Sequence, residues 1–195
     1  MTRVQKQASP DIRLADAALR LLKKQAWREL SLAAIAKSAK VPMTELAAYA
    51  RSKPALIGLI LRRLGEEVTR AYKPDADAES ARDRLFDVSM LWFDTLARHE
   101  DAVRSLYEGL RTDPITLIAA RGGIIAAAEW LMTLAEADTG PALALRAAAF
   151  AAILGRAVPV WLEDDSDLTK TMARLDGDLR RAENLFGFRK PANDG

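Results

Sequence analysis

The segment from residue 31 to residue 49, SLAAIAKSAKVPMTELAAY, limits the fold of this chain more than any other stretch. It has the pattern of two short helices joined by a tight turn, because Ser31 suits a helix N-cap and Pro42 suits the start of a second helix. Apolar residues recur at helical spacing on one face of the first helix, at Leu32, Ile35, Ala36 and Ala39. This layout is typical of a helix-turn-helix, whose second helix lies in the major groove of DNA.

Basic residues are concentrated in the first third of the chain. Residues 1–63 contain 13 Lys or Arg and four Asp or Glu, whereas the whole chain contains 29 and 27. Residues 64–195 therefore carry an excess of acidic residues, although the net charge of the chain is only +2. A basic segment around a helix-turn-helix is the charge pattern of a nucleic-acid surface. Charge alone leaves a solubilising surface on a small helical lobe as the alternative.

The composition argues against several classes of function. The chain has no cysteine and one histidine, so nucleophilic triads and zinc sites have no basis. We therefore expect no metal, no cofactor and no enzyme activity. The lack of cysteine agrees with a reducing cytoplasm. The N-terminus lacks the apolar stretch of a signal peptide, and the longest apolar run, residues 147–155, is shorter than the ~20 residues that span a bilayer. We expect a cytoplasmic protein without a transmembrane segment.

Helical periodicity continues through the rest of the chain, and no stretch shows the alternation of a half-buried strand. We predict an all-α fold of about nine helices. Residues 1–63 are expected to form a helix-turn-helix DNA-binding head, and residues 64–195 a larger helical body for ligand binding and dimerisation. Residues 73–79 have the composition of a linker, and the pair Gly122-Gly123 is a candidate kink in a long helix.

A narrow apolar stripe near the C-terminus has the spacing of a helix–helix seam. Its residues are Leu168, Met172, Leu175 and Leu179. The preceding helix offers one face of mostly small residues, which includes Leu145, Ala149 and Ala152. Two such helices from each of two chains would form a four-helix dimer interface. The alternative is that both stripes pack inside one chain.

Large apolar side chains occur on body helices that should face each other. Ligand sites are mostly apolar with a few polar groups, so these residues predict a pocket for a small apolar effector or an isoprenoid-like lipid. The predicted lining is Trp92, Phe93, Leu96, Glu129, Trp130 and Phe150. The alternative is that the aromatic residues simply fill the core.

The first 63 residues resemble the TetR family of bacterial transcriptional regulators. The matching sequence is LADAALRLLKKQAWRELSLAAIAKSAKVPMTELAAYARSKPALIGLILRRL, which includes the Ile35-Ala36 step and the Ser52-Lys53 start of a fourth helix. The resemblance implies a cytoplasmic homodimer, whose two heads insert their third helices into successive major grooves of a near-palindromic operator in double-stranded DNA. It also implies a regulator that responds to an effector bound in the body, and we expect a repressor.

The same resemblance locates the DNA-binding residues in and around helix three. Phosphates would be held by Ser31, Tyr49, Lys53 and nearby basic residues such as Lys40, while Pro42, Met43, Thr44 and Ala48 would face the bases. Lys40 stands where the family's turn usually has Gly, so a left-handed backbone there would cost Lys roughly 1 kcal/mol more than Gly. Helix three has no Arg, Asn or Gln placed for a bidentate base contact.

The body also resembles the lipid-binding accessory proteins of ubiquinone biosynthesis, which are built on the TetR fold. The resemblance is carried by RDRLFDVSMLWFDTL and VWLEDDSDLTKTMARLDGDL and covers much of residues 81–185. It implies an alternative function, the binding of a lipid or isoprenoid by a protein whose helix-turn-helix is vestigial. The basic head serves both functions, because an anionic membrane attracts positive charge as DNA does.

Overall fold

The computed structural model describes residues 8–73, 80–137, 142–165 and 167–186, and this part of the chain is all-α. Within it lie nine α-helices and one 3-10 turn, Trp27–Glu29. The helices are α1 (Pro10–Leu22), α2 (Leu32–Ala39), α3 (Met43–Tyr49), α4 (Lys53–Ala71), α5 (Ala81–Ala97), α6 (Glu100–Arg111), α7 (Pro114–Leu134), α8 (Leu143–Leu162) and α9 (Thr169–Phe186). The predicted fold class is confirmed. Most of the predicted linker, residues 74–79, lies outside the described residues.

Several helices begin where a side chain satisfies their free backbone amides. The Ser31 hydroxyl accepts a hydrogen bond from the Ala34 amide at 3.1 Å, and the Ser52 hydroxyl accepts one from the Ala55 amide at 3.3 Å. At α5 the pairing is reciprocal, because the backbone amide of Ser80 also donates to the Asp83 carboxylate at 3.2 Å. These caps are local, which is why the sequence alone predicts the starts of α2 and α4.

The first four helices enclose a small core, and α4 then continues into the body. The boundary at residues 63 and 64 falls inside α4, so one rigid element connects the two parts. The head also rests on α6. The side chain of Trp27, only 3% exposed, lies so close to Gly109 that a β-carbon there would approach it to 2.5 Å. The Ser105 hydroxyl donates to the Gln25 carbonyl at 3.0 Å.

Helices α4 and α7 are in direct backbone contact. A β-carbon added to Gly123 would lie 2.6 Å from the Gly58 Cα atom. Seven residues later Gly65 faces Trp130, so the two helices advance together and run parallel. Helix α7 is assigned without a break through the Gly122-Gly123 pair, at which the sequence indicated a candidate kink. Of the two glycines, Gly123 is the one that allows the close packing of α7 against α4.

The C-terminal stripe differs from the prediction. Leu175 and Leu179 are completely buried within the chain, where α9 packs against α5 and α8. Leu168 and Met172 are half-buried. The side chains of Leu175 and Leu179 are therefore not on the surface that a second chain would meet, which corrects their assignment to a dimer interface. Intrachain packing, the alternative that the spacing left open, accounts for these two residues.

Helices α7 and α8 are longer and more apolar than the longest uninterrupted apolar run, residues 147–155, on which the expectation of no transmembrane segment rested. Their 18-residue windows have mean hydropathies of 1.5 and 1.6, which suffice by length and composition for a membrane crossing. Core helices of soluble proteins pass the same criterion, and both helices pack against neighbours in this chain. Only 22% and 28% of these windows are buried, however, so both helices present apolar surface to solvent.

Candidate nucleic-acid interface

The outer face of α3 is the most exposed part of the helix-turn-helix. Leu46, which is 1% exposed, anchors the inner side of the helix in the head core. Met43 and Tyr49 lie three residues before and three residues after Leu46, and they are 49% and 40% exposed. Pro42, Thr44 and Ala48 are exposed on the same short element. The structure therefore places the residues that the sequence predicted to face the bases together on α3 and its start, and all of them are exposed.

The turn between α2 and α3 has a left-handed backbone at Lys40, where the sequence places Lys instead of the usual Gly. Lys40 adopts φ 55° and ψ 43°, the conformation that glycine adopts without strain. The Val41 amide donates to the Ala36 carbonyl at 3.0 Å, which closes the end of α2. The side chain of Val41 is then buried, while Lys40 is exposed at the edge of the α3 surface.

The side chain of Lys53, which was predicted to hold a phosphate, points towards the 3-10 turn of the head. Its ammonium lies 4.7 Å from the centroid of the Trp27 ring and donates to the Arg28 carbonyl at 3.1 Å. Burial lowers the pKa of Lys53, an effect that the nearby Asp113 carboxylate partly opposes. This ammonium is engaged inside the head rather than presented to a phosphate. The Ser31 hydroxyl accepts a hydrogen bond from the Ala34 amide, which leaves its own O–H able to donate to a phosphate, and Ser31 is exposed.

Two exposed basic residues that the sequence analysis did not select lie close to this surface. The Arg51 guanidinium donates to the Ala47 carbonyl at 3.4 Å and so lies along the C-terminal end of α3. Lys37 is exposed in the last turn of α2. Both belong to the excess of basic residues in residues 1–63, which is the sequence signal that includes them.

The predicted ligand pocket is divided between two places. Trp92, Phe93, Leu96 and Phe150 are at most 5% exposed and fill the body core, where the Phe93 and Trp161 ring centroids are 5.8 Å apart. Trp130 instead lies on the outer surface, 50% exposed, and Glu129 beside it is half-buried. These residues do not line a common cavity in this structure, because the core side chains occupy the space between α5 and α8 themselves.

A groove of about 640 Å³ lies elsewhere, where α3, α4 and α7 meet. We call it the α4–α7 groove. It is lined by Ala48, Tyr49, Ala55, Gly58, Leu59, Leu61, Arg62, Gly65, Glu66, Gly123, Ala126, Ala127 and Trp130. Trp130 is the one residue it shares with the predicted pocket.

The residues predicted for a dimer interface are also separated. Leu145 is 61% exposed on α8, Ala152 is exposed two turns further along, and Ala149 is half-buried. On the neighbouring helix α7, Ile118 is 61% exposed. An apolar surface therefore exists on α7 and α8, whereas the leucines in the middle of α9 point into the core.

Solved structures with a similar fold are regulators of the TetR family. One is a TetR transcriptional regulator from Nitrosomonas europaea ATCC 19718, with 20% sequence identity and a TM-score of 0.62 over 91% of this chain and 100% of that chain. Another is a TetR transcriptional regulator from Rhodococcus sp. RHA1, with 19% identity and a TM-score of 0.56 over 93% and 96%. No protein-family model and no curated protein sequence matches the chain. The chain has the fold of TetR-family transcriptional regulators.

Proposed function

We propose that this chain is a cytoplasmic, DNA-binding transcriptional regulator of the TetR type that acts as a homodimer. One observation supports this function above all others. The surface of α3 is exposed on a helix-turn-helix within a segment that carries 13 basic and four acidic residues. In this proposal residues 1–63 are the DNA-binding head, and residues 64–195 form the body that dimerises and binds a ligand.

Helix α3 would enter the major groove with its N-terminal end towards the bases. Met43 and the methyl group of Thr44 suit contact with a thymine methyl, and the Thr44 hydroxyl can donate or accept a hydrogen bond. Tyr49, Lys40 and Arg51 lie at the edges of this surface, where the phosphates run. Because few side chains can read bases, phosphate contacts would supply most of the affinity, and binding would weaken steeply with salt.

A homodimer would use the exposed apolar surface of α7 and α8. Leu145 and Ile118 supply large side chains on this surface, and Ala152 and Gly155 allow close approach of a second helix pair. A two-fold dimer presents two α3 helices to two half-sites, which suits a near-palindromic operator. Binding such an operator in a promoter would block transcription, so we assign the role of a repressor that an effector releases.

The decisive experiment is a salt titration of binding to the DNA upstream of the protein's own gene, with a scrambled duplex as competitor. We expect a preference for the upstream DNA that survives physiological salt. The double variant Thr44→Ala, Tyr49→Ala should lose this preference, because both side chains are exposed on α3. Thr133→Ala is the control, because Thr133 is an exposed threonine on α7. This variant should keep the preference for the upstream DNA.

A second candidate function is an accessory protein that binds a lipid or isoprenoid and whose helix-turn-helix is vestigial. Two observations favour it: α3 has no Arg, Asn or Gln, and α7 and α8 expose much apolar surface. In that case binding to upstream and scrambled DNA would be equal and would disappear with salt. Organic extraction of the purified protein followed by mass spectrometry would then detect a bound lipid.

A further inference from the structure

Glu45, in the first turn of α3, is the acidic residue of the head whose side chain is left free. Residues 1–63 contain four acidic residues among 13 basic ones. Within the described part of the chain, the Glu45 carboxylate has neither a hydrogen bond nor an ion pair. The other three acidic residues each have a partner: Asp11 with Arg62 at 2.6 Å, Asp16 with Arg63 at 2.9 Å, and Glu29 with the Ala26 amide at 3.4 Å.

Glu45 stands where a negative charge opposes the binding of DNA. It is adjacent to Thr44 and one helical turn before Ala48, two residues that were predicted to face the bases. The exposed cations at the two ends of α3, Lys40 and Arg51, form no ion pair with it in the structure. The helix dipole stabilises an acid in the first turn of the free protein, but the phosphates of a duplex repel it. The carboxylate therefore weakens binding unless it meets a hydrogen-bond donor on the DNA.

The four bases differ in what they offer to a carboxylate in the major groove. An ionised carboxylate can only accept hydrogen bonds. Guanine presents the acceptors N7 and O6, and thymine presents the acceptor O4, so both repel it. Adenine presents its N6 amine beside the acceptor N7, whereas cytosine presents its N4 amine without an acceptor of its own. Cytosine is therefore the base that suits the side chain of Glu45 best.

We propose that Glu45 determines part of the operator sequence by accepting a hydrogen bond from the N4 amine of a cytosine in each half-site. This inference rests on the proposed function, because it requires α3 to lie in the major groove. On other sequences the same carboxylate meets acceptor atoms and phosphates without compensation, so it also disfavours binding elsewhere. In a helix without Arg, Asn or Gln, one free carboxylate thus supplies a directional contact with a base.

The test selects binding sites from a pool of randomised duplexes and compares the unchanged protein with Glu45→Gln. The unchanged protein should enrich half-sites that share a cytosine, and replacing this C·G pair by A·T should weaken binding at least about tenfold, which equals about 1.4 kcal/mol. Glu45→Gln should enrich adenine at the same position, because a glutamine amide pairs with adenine N6 and N7. Glu29→Gln is the matched control, because it removes the same charge from an exposed head residue outside α3. This control should still enrich cytosine.

Three results would overturn this assignment while leaving the proposed function in place. The unchanged protein could enrich half-sites that share no cytosine. The change from C·G to A·T could weaken the unchanged protein and Glu45→Gln equally, which would mean that another residue reads the position. Both glutamine variants could bind every duplex more tightly by the same factor, which would mean that Glu45 acts through its charge alone. If the unchanged protein enriches no sequence at all, the proposed function fails as well, so the two failures are distinguishable.

Discussion

At the scale of single residues, Lys40 carries strain that a glycine would relieve. Its left-handed backbone costs a side chain-bearing residue about 1 kcal/mol relative to Gly, so Lys40→Gly should stabilise the protein by about that amount. Lys37→Gly removes the same charge from the last turn of α2, where the backbone is right-handed, and should destabilise the protein by up to about 1 kcal/mol. Chemical denaturation of both variants measures the difference. Equal effects of the two substitutions would contradict the assignment of strain to Lys40.

Residue-level predictions succeed where the cause lies nearby in the chain. Ser31, Ser52 and the turn before α3 follow from neighbours within five residues, and the sequence identified all three. Lys53 is different, because the Trp27 ring that engages it lies 26 residues earlier. A helix N-terminus with a lysine predicts a phosphate contact only when nothing else binds the ammonium. Whether the Lys53 ammonium is free depends on how the 3-10 turn packs against the start of α4. The residues next to Lys53 in the sequence do not indicate that packing.

At the scale of helices, the two adjacent glycines of α7 should respond oppositely to the same substitution. Gly123→Ala forces a methyl group to within 2.6 Å of the Gly58 backbone, and overpacking of this kind costs about 1–3 kcal/mol. A β-carbon on Gly122 would meet nothing within 4 Å, so Gly122→Ala should stabilise the helix by about 0.5–1 kcal/mol. Thermal unfolding followed by circular dichroism compares them. Destabilisation by both would indicate that α7 needs flexibility at this pair.

The helices themselves follow from the sequence better than their partners do. Periodicity and caps predict nine helices because both signals act within one or two turns. The stripe of Leu168, Met172, Leu175 and Leu179 shows that α9 packs against another helix, but the same spacing serves a helix of its own chain or of a second chain. The structure shows that Leu175 and Leu179 pack inside the chain. The aromatic residues of α5 and α8 present the same ambiguity between core and pocket.

At the scale of the whole molecule, the head and the body are joined in three places. Helix α4 belongs to both, Trp27 rests on Gly109 of α6, and the α4–α7 groove reaches Tyr49 of α3. Helical periodicity predicts α4, but the other two features have no signature in the sequence, because each brings together residues more than 60 positions apart. The sequence predicts a basic head and an apolar body, and the packing supplies the connection between them.

The exposed apolar surface of α7 and α8 should determine the assembly of the protein. Leu145 is 61% exposed, and burying a leucine stabilises an interface by roughly 1.5–3 kcal/mol, so Leu145→Lys should shift the proposed dimer towards monomer. Met43→Lys introduces the same charge in the head, at a residue that is 49% exposed. This control variant should have the same molar mass in solution as the wild-type protein. Sedimentation equilibrium measures both. Because a two-fold dimer contacts two half-sites, the monomeric variant should also bind the operator more weakly while each head stays folded. A wild-type chain that sediments as a monomer would mean that this apolar surface has another partner, and lipid vesicles would then be the first to test.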